Sequence, residues 1–175
     1  MRGALVALLL AVACGGLGCG GSSSRDESGA PPYAFQPEGT NDGPVVFLRE
    51  RLGGSRVQVD VVARGILEVH GSAFRVTWDP AALSFVQAQA GPSWSSRALL
   101  LAREAAPGEL AVAWAEKGEA RGHDATSELL LGTLVFEAKG QKGTPLAFRA
   151  ARSALVDRAG RELPVTWRAG TLVAR

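Results

Sequence analysis

The side chains able to do chemistry are few and scattered. The chain has two histidines, His70 and His123, and two cysteines, Cys14 and Cys19. Neither histidine has a cysteine near it, so no ligand set at metal-binding spacing forms. Both histidines stand among turn formers and are expected at the surface. Glu116-Lys117-Gly118-Glu119 lies close to His123-Asp124, a grouping that suggests paired carboxylates or a calcium loop. Its oxygen ligands follow no regular loop spacing, so a solvated turn after a strand is expected. Serines are frequent, yet no Gly-x-Ser-x-Gly elbow occurs, and Gly91-Pro92-Ser93-Trp94-Ser95-Ser96 reads as a loop. No catalytic constellation emerges; the expectation is a non-enzymatic binding domain with no cofactor and no metal.

Binding chemistry rests instead on the four tryptophans. Trp78 and Trp114 occupy alternating apolar positions and are expected in the core. Trp94 sits in the polar Gly-Pro-Ser loop, where exposure is expected, and Trp167, between Thr166 and Arg168, fits either side of a strand. An exposed indole stacks on a sugar ring or anchors a protein partner, so Trp94 and Trp167 are the candidate ligand-binding residues. Lys plus Arg number 19 against 17 Asp plus Glu, with no basic stripe, so nucleic acid is not an expected partner.

The elements that must position these residues begin after an address. Arg2 precedes the apolar run Ala4–Ala13, which is shorter than the roughly 20 residues that cross a bilayer. A secretory signal over 1–18 is expected. It resembles the bacterial lipoprotein type, in which a small residue precedes the cysteine that becomes the diacylated amino terminus. Cys19, after Gly16-Leu17-Gly18, gives the more usual signal length; Cys14 is the alternative. The protein is therefore expected to be exported and held by lipid in the cell envelope, at the outer membrane or cell surface. Residues 19–43, rich in Gly, Ser, Pro and charge, read as a flexible tether reaching about 25–30 Å. Tyr33 and Phe35 fall within it and are expected to be solvated.

From residue 44 to 175 the texture changes to short apolar alternations separated by turn signals, as in an antiparallel β-sandwich. Val57, Val59 and Val61 alternate with Gln58, Asp60 and Val62; Phe74, Val76 and Trp78 alternate with Arg75 and Thr77 before Asp79-Pro80. Pro107-Gly108 joins Leu99–Glu104 to Leu110–Ala115 as a hairpin. Residues Ser95–Glu104 also contain good helix formers, which makes a helix the competing reading. Leu129–Ala138 is a long central strand.

In this order the landmarks resemble the cohesin family, the jelly-roll modules that hold dockerin-bearing enzymes on bacterial cellulosomes. The resemblance rests on the valine-alternating strand Val57–Val62 and on Phe74-Arg75-Val76-Thr77-Trp78-Asp79-Pro80-Ala81-Ala82-Leu83. The Pro107–Val112 hairpin, the glycine-led strand Leu131–Gly140 and the closing Gly170-Thr171-Leu172-Val173 complete it. It covers nearly all of 44–175. It implies a jelly-roll sandwich with a sheet face that docks a dockerin-bearing protein, where outward side chains such as Arg75 and Thr77 are candidates. The same superfamily implies, as an alternative, binding of a polysaccharide; a structural or adhesive envelope role with neither ligand is the third reading.

Overall fold

The computed structural model describes residues 33–40, 42–51 and 56–175. The two candidate lipid-attachment cysteines lie outside these residues. The first strands are β1 (Tyr33–Pro37), β2 (Val45–Glu50), β3 (Val57–Arg64), β4 (Ile66–Val69) and β5 (Gly71–Thr77). Next come β6 (Leu83–Ala90), β7 (Leu99–Ala106), β8 (Glu109–Ala115), β9 (His123–Ala125) and β10 (Leu129–Ala138). Then follow β11 (Thr144–Phe148), β12 (Ala154–Val156), β13 (Glu162–Leu163), β14 (Thr166–Arg168) and β15 (Gly170–Ala174).

Two sheets face each other. One runs β14-β2-β3-β10-β6, with β14 parallel to β2 and every other pairing antiparallel. In the other, β5 is the hub. It pairs with β8 along one edge and shares the opposite edge between β11 and β12, which a short 3-10 turn at Ala150–Arg152 separates. Beyond β8 lies β7, and beyond β11 lie β15 and β1. Val46, Leu48, Val59, Val61, Leu134 and Phe136 from the first sheet meet Phe74, Val76, Leu110, Val112 and Trp114 from the second. Alternation of side chains along each strand puts one set inward and its neighbours outward.

The hairpin is what forms over 99–115, not a helix: β7 pairs with β8 from Leu99↔Ala115 to Ala106↔Glu109. Gly108 turns it at φ +75°, and a Cβ there would lie 2.5 Å from the Trp78 carbonyl oxygen, so the position needs glycine twice over. That close approach lets Trp78 donate its N–H to the Gly108 carbonyl at 3.0 Å. The Asp79-Pro80 turn is closed by the Asp79 carboxylate, which accepts from the Ala81 N–H at 2.9 Å and from Lys142.

Tyr33 and Phe35 are not solvated spacer. Tyr33–Pro37 pairs along the whole of β15, and Tyr33 is buried. Its hydroxyl sits 2.8 Å from the Gly140 carbonyl and 3.0 Å from that of Lys142, closing the loop between β10 and β11. Tyr33→Phe keeps the ring and removes that link. We expect a loss of about 1–2 kcal/mol in urea unfolding, because the two carbonyls lose the one hydroxyl donor they share. An unchanged midpoint would show that the hydroxyl contributes nothing.

Candidate docking face

The outward side chains of β7, β8, β5 and β12 make one continuous surface, and the registers order it in rows. Leu101 stands beside Ala113, Ala113 beside Ala73, and Ala73 beside Ala154. On one side of this row run Leu99, Ala115, Gly71 and Val156. On the other side run Arg103, Ala111 and Arg75, followed by Glu109 and Thr77. The inward partners of these residues, Val112, Trp114, Phe74 and Leu155, are buried. The outward positions of such a half-buried strand are ordinarily polar; here they are alanine, leucine, glycine or valine over two rows.

This surface is flat because alanine leaves nothing beyond Cβ. Leu99, Leu100 and Leu101 on β7 are each at least half exposed, at 50%, 52% and 57%. Leu99 and Leu101 lie on the outward side with Ala115 and Ala113, whereas Leu100 pairs with the inward-facing Trp114 and projects on the other side of β7. Two exposed leucines on one side of a sheet edge are the kind of feature that marks an interaction site. A shallow concavity of about 270 Å³ lies between Leu101, Arg103, Ala111 and Ala113. At the polar end, Arg75 donates to the Glu109 carboxylate and Arg149 pairs with it at 2.7 Å. The Arg75 hydrogen bond holds the Glu109 carboxyl below its usual range; partial burial opposes this, and the Arg149 charge adds to it. Arg75 and Thr77 thus lie on the face, as the outward alternation predicts.

The other candidate residues are placed elsewhere. Trp94 was expected exposed and is buried, at 8% exposure. The cause is a bulge in β10. Leu130 pairs with Val62 and Gly132 with Val61, so Leu131 falls out of the ladder with β3. Its carbonyl then accepts from the Gly91 N–H at 2.9 Å and from the Trp94 indole N–H at 2.7 Å. Trp167 is half-buried and packs against Phe148 at 4.9 Å and Phe74 at 6.1 Å between ring centres. The structure does not bring Trp94 into the docking face.

Glu116 is likewise not a solvated turn residue. It is buried, and its carboxylate accepts from the Ser95 N–H at 2.7 Å, the Ser95 hydroxyl at 2.5 Å and His123 Nε2 at 3.0 Å. His123 is therefore half-buried rather than superficial, its ring edge-on to Trp94 at 5.3 Å; His70 is half-buried too. A second concavity of about 500 Å³ is lined by Glu68, Asp157, Arg158, Arg161 and Leu163. Three of its charges are paired within the chain, Asp157 with Arg161 and Arg158 with Glu119.

The sixth cohesin of scaffoldin B from Acetivibrio cellulolyticus, solved in complex with a Cel5 dockerin, superposes with TM-score 0.58 at 18% identity. The alignment covers 72% of this chain and 96% of that one. The fold is that of cohesin domains. The third cohesin of ScaC from the same species gives TM-score 0.57 at 17% identity, over 74% of this chain and 98% of its own. That cohesin was solved with a dockerin mutated in its C-terminal helix. A non-cellulosomal cohesin from the archaeon Archaeoglobus fulgidus gives 0.59 at 15%, over 76% and 92%. No protein-family model and no curated protein matches the sequence. The cohesin fold thus came through shape, and through the strand landmarks that carry it.

The alanine face of this cohesin fold escaped the sequence reading, although a signal for it exists. In Leu110-Ala111-Val112-Ala113-Trp114-Ala115 every position that alternation assigns to solvent is alanine. Which strands lie on either side of β8 is a tertiary fact, and only that places Ala73 and Leu101 next to Ala113.

Proposed function

We propose that the protein is a non-catalytic binding module that docks a dockerin-type protein on the β12–β5–β8–β7 face. The observation that carries the reading is the pair of apolar rows on the outer side of a sheet whose other face is already buried in the core. Complexes of structurally similar cohesins with dockerins support the class of partner. With Trp94 inside the sandwich, the two-tryptophan platform that would favour a polysaccharide is missing. We further propose export and acylation at Cys19, or at Cys14, which would hold the domain at the membrane; intact mass of the membrane-fraction protein tests this.

The docking reading is tested by calorimetry with purified dockerin modules encoded by the same organism. Ala113→Arg puts a long cation in the middle of the flat row. It should reduce affinity at least about a hundredfold, on the scale of a hot-spot loss, with the unfolding midpoint unchanged. Binding equal to the unmodified protein, or no binding by any dockerin, would refute the reading.

A further inference from the structure

The free edge of β7 is a second surface, separate from the sheet face beside it. Among the described residues β7 pairs with β8 alone, so the N–H and C=O groups along its other edge have no strand partner. Four large hydrophobic side chains are exposed among those residues, and Leu99, Leu100 and Leu101 of β7 are three of them. Because Leu100 projects on the side opposite to Leu99 and Leu101, a partner lying on the docking face leaves it bare. A strand added to the edge covers all three, and an extended backbone supplies the alternating donors and acceptors that the edge lacks. The devices that protect an edge come late in β7. Its bulge lies between Glu104 and Ala106, just before Pro107, which leaves Leu99–Glu104 flat. The edge strand of the other sheet, β6, exposes Gln87 and Gln89 and offers no comparable apolar edge.

From these observations we infer that the protein forms a two-fold dimer by antiparallel pairing of β7 with β7 of a second copy, Leu101 facing Leu101. The strand's own sequence fits its copy. With the axis normal to the sheet, opposed residues share a side, so one residue must face itself. Arg103 or Glu104 at that position would oppose like charges. Ala102 there would draw the bulge into the ladder, and Leu99 or Leu100 would pair fewer residues. Leu101 pairs the stretch Leu99–Arg103, all of it flat: Leu99 opposes Arg103 and Leu100 opposes Ala102. No charge then meets its like, and the leucines of both copies are covered on both sides of the sheet. The two docking faces come to lie on one side of a continuous sheet, which makes the dimer bivalent. The pairing itself does not depend on what those faces bind.

The test is sedimentation equilibrium on the full-length chain carrying Cys14→Ser and Cys19→Ser, which removes both native thiols. A monomer–dimer equilibrium is expected. Leu101→Lys sets like charges opposite each other across the axis and should weaken the dimer at least about tenfold, with the unfolding midpoint unchanged. In the same background, mild oxidation should join Leu101→Cys chains by a disulfide, because those residues oppose each other. Arg103→Cys chains should stay separate, since their thiols are offset by four residues of strand, about 14 Å. A monomer at every concentration would overturn the inference. So would a dimer that Leu101→Lys leaves intact, or cross-linking at 103 equal to that at 101. Pairing of a monomer's β7 with an unrelated extended peptide would assign the edge to a foreign strand and overturn it too. Dockerin binding by a strictly monomeric protein would overturn this inference alone and leave the docking reading standing.

Discussion

Trp114→Ala is expected to lower the unfolding free energy by about 3–5 kcal/mol, the range for deleting a large aromatic from a closed core. Trp114 is fully buried near the end of β8 and lies edge-on to Phe74 at 5.4 Å between ring centres. Its indole reaches across the sandwich to β10, where it meets Gly132. A Cβ on Gly132 would lie 2.2 Å from Trp114 Cη2 and 2.5 Å from the Gln89 carbonyl oxygen. Gly132→Ala should therefore also destabilise, by about 1–3 kcal/mol as overpacking does. The two effects are coupled through one contact. In a Trp114→Phe background the smaller ring leaves room, so Gly132→Ala should cost less there, by about 0.5–3 kcal/mol of interaction energy. Residual loss is expected from the Gln89 carbonyl, which does not move with the ring. Strictly additive losses in urea denaturation would show that the two sheets do not meet at this point.

Removing the Glu116 carboxylate should have the second largest effect, about 1.5–3 kcal/mol, the scale of hydrogen bonds to a charged group. Three donors converge on it from two elements, so Glu116→Ala frees both the loop before β7 and strand β9. Because that loop leads into β7, the edge of the docking face should lose order as well. Hydrogen exchange at residues 95–101 would register it. The loss should also depend on pH. Burial pushes the Glu116 carboxyl up, but the Ser95 hydroxyl, the Ser95 N–H and His123 together outweigh it and leave the group below its ordinary value of 4.5. A carboxyl depressed in the folded state stabilises fully above that ordinary value, and the contribution drains away as pH falls through the folded value. Glu116→Gln should thus melt lower than the unmodified protein at neutral pH, with the gap narrowing as pH is lowered below 4.5. A gap of constant size from neutral to acid pH would mean that the carboxylate's charge plays no part.

Local pattern carried much of the fold. Period-two alternation in 57–62, 74–78 and 110–115 marks strands with one buried side, because a residue's face is set by its neighbours along the chain. It placed Trp78 and Trp114 in the core, and Pro107-Gly108 marked the hairpin over the competing helix. Landmarks in chain order were sufficient to suggest the cohesin sandwich, which the superposed structures share. The site was less legible. Trp94 looks exposed by its polar neighbours, yet a bulge in β10, 37 residues away, offers its indole a carbonyl. Glu116 looks solvated by the glycine and charges that follow it, yet the loop at Ser95 folds over it. Tyr33 reads as tether until β15 pairs with it from the far end of the sequence. The alanines at 73, 111 and 113 are unremarkable one by one and become a surface only when β5, β8 and β7 lie side by side. Which residues of each strand face the core follows from alternation along the chain, since that depends only on backbone geometry. Which strands are neighbours, and hence which outward residues act together, is settled by contacts between residues far apart in the chain, and no local pattern records those.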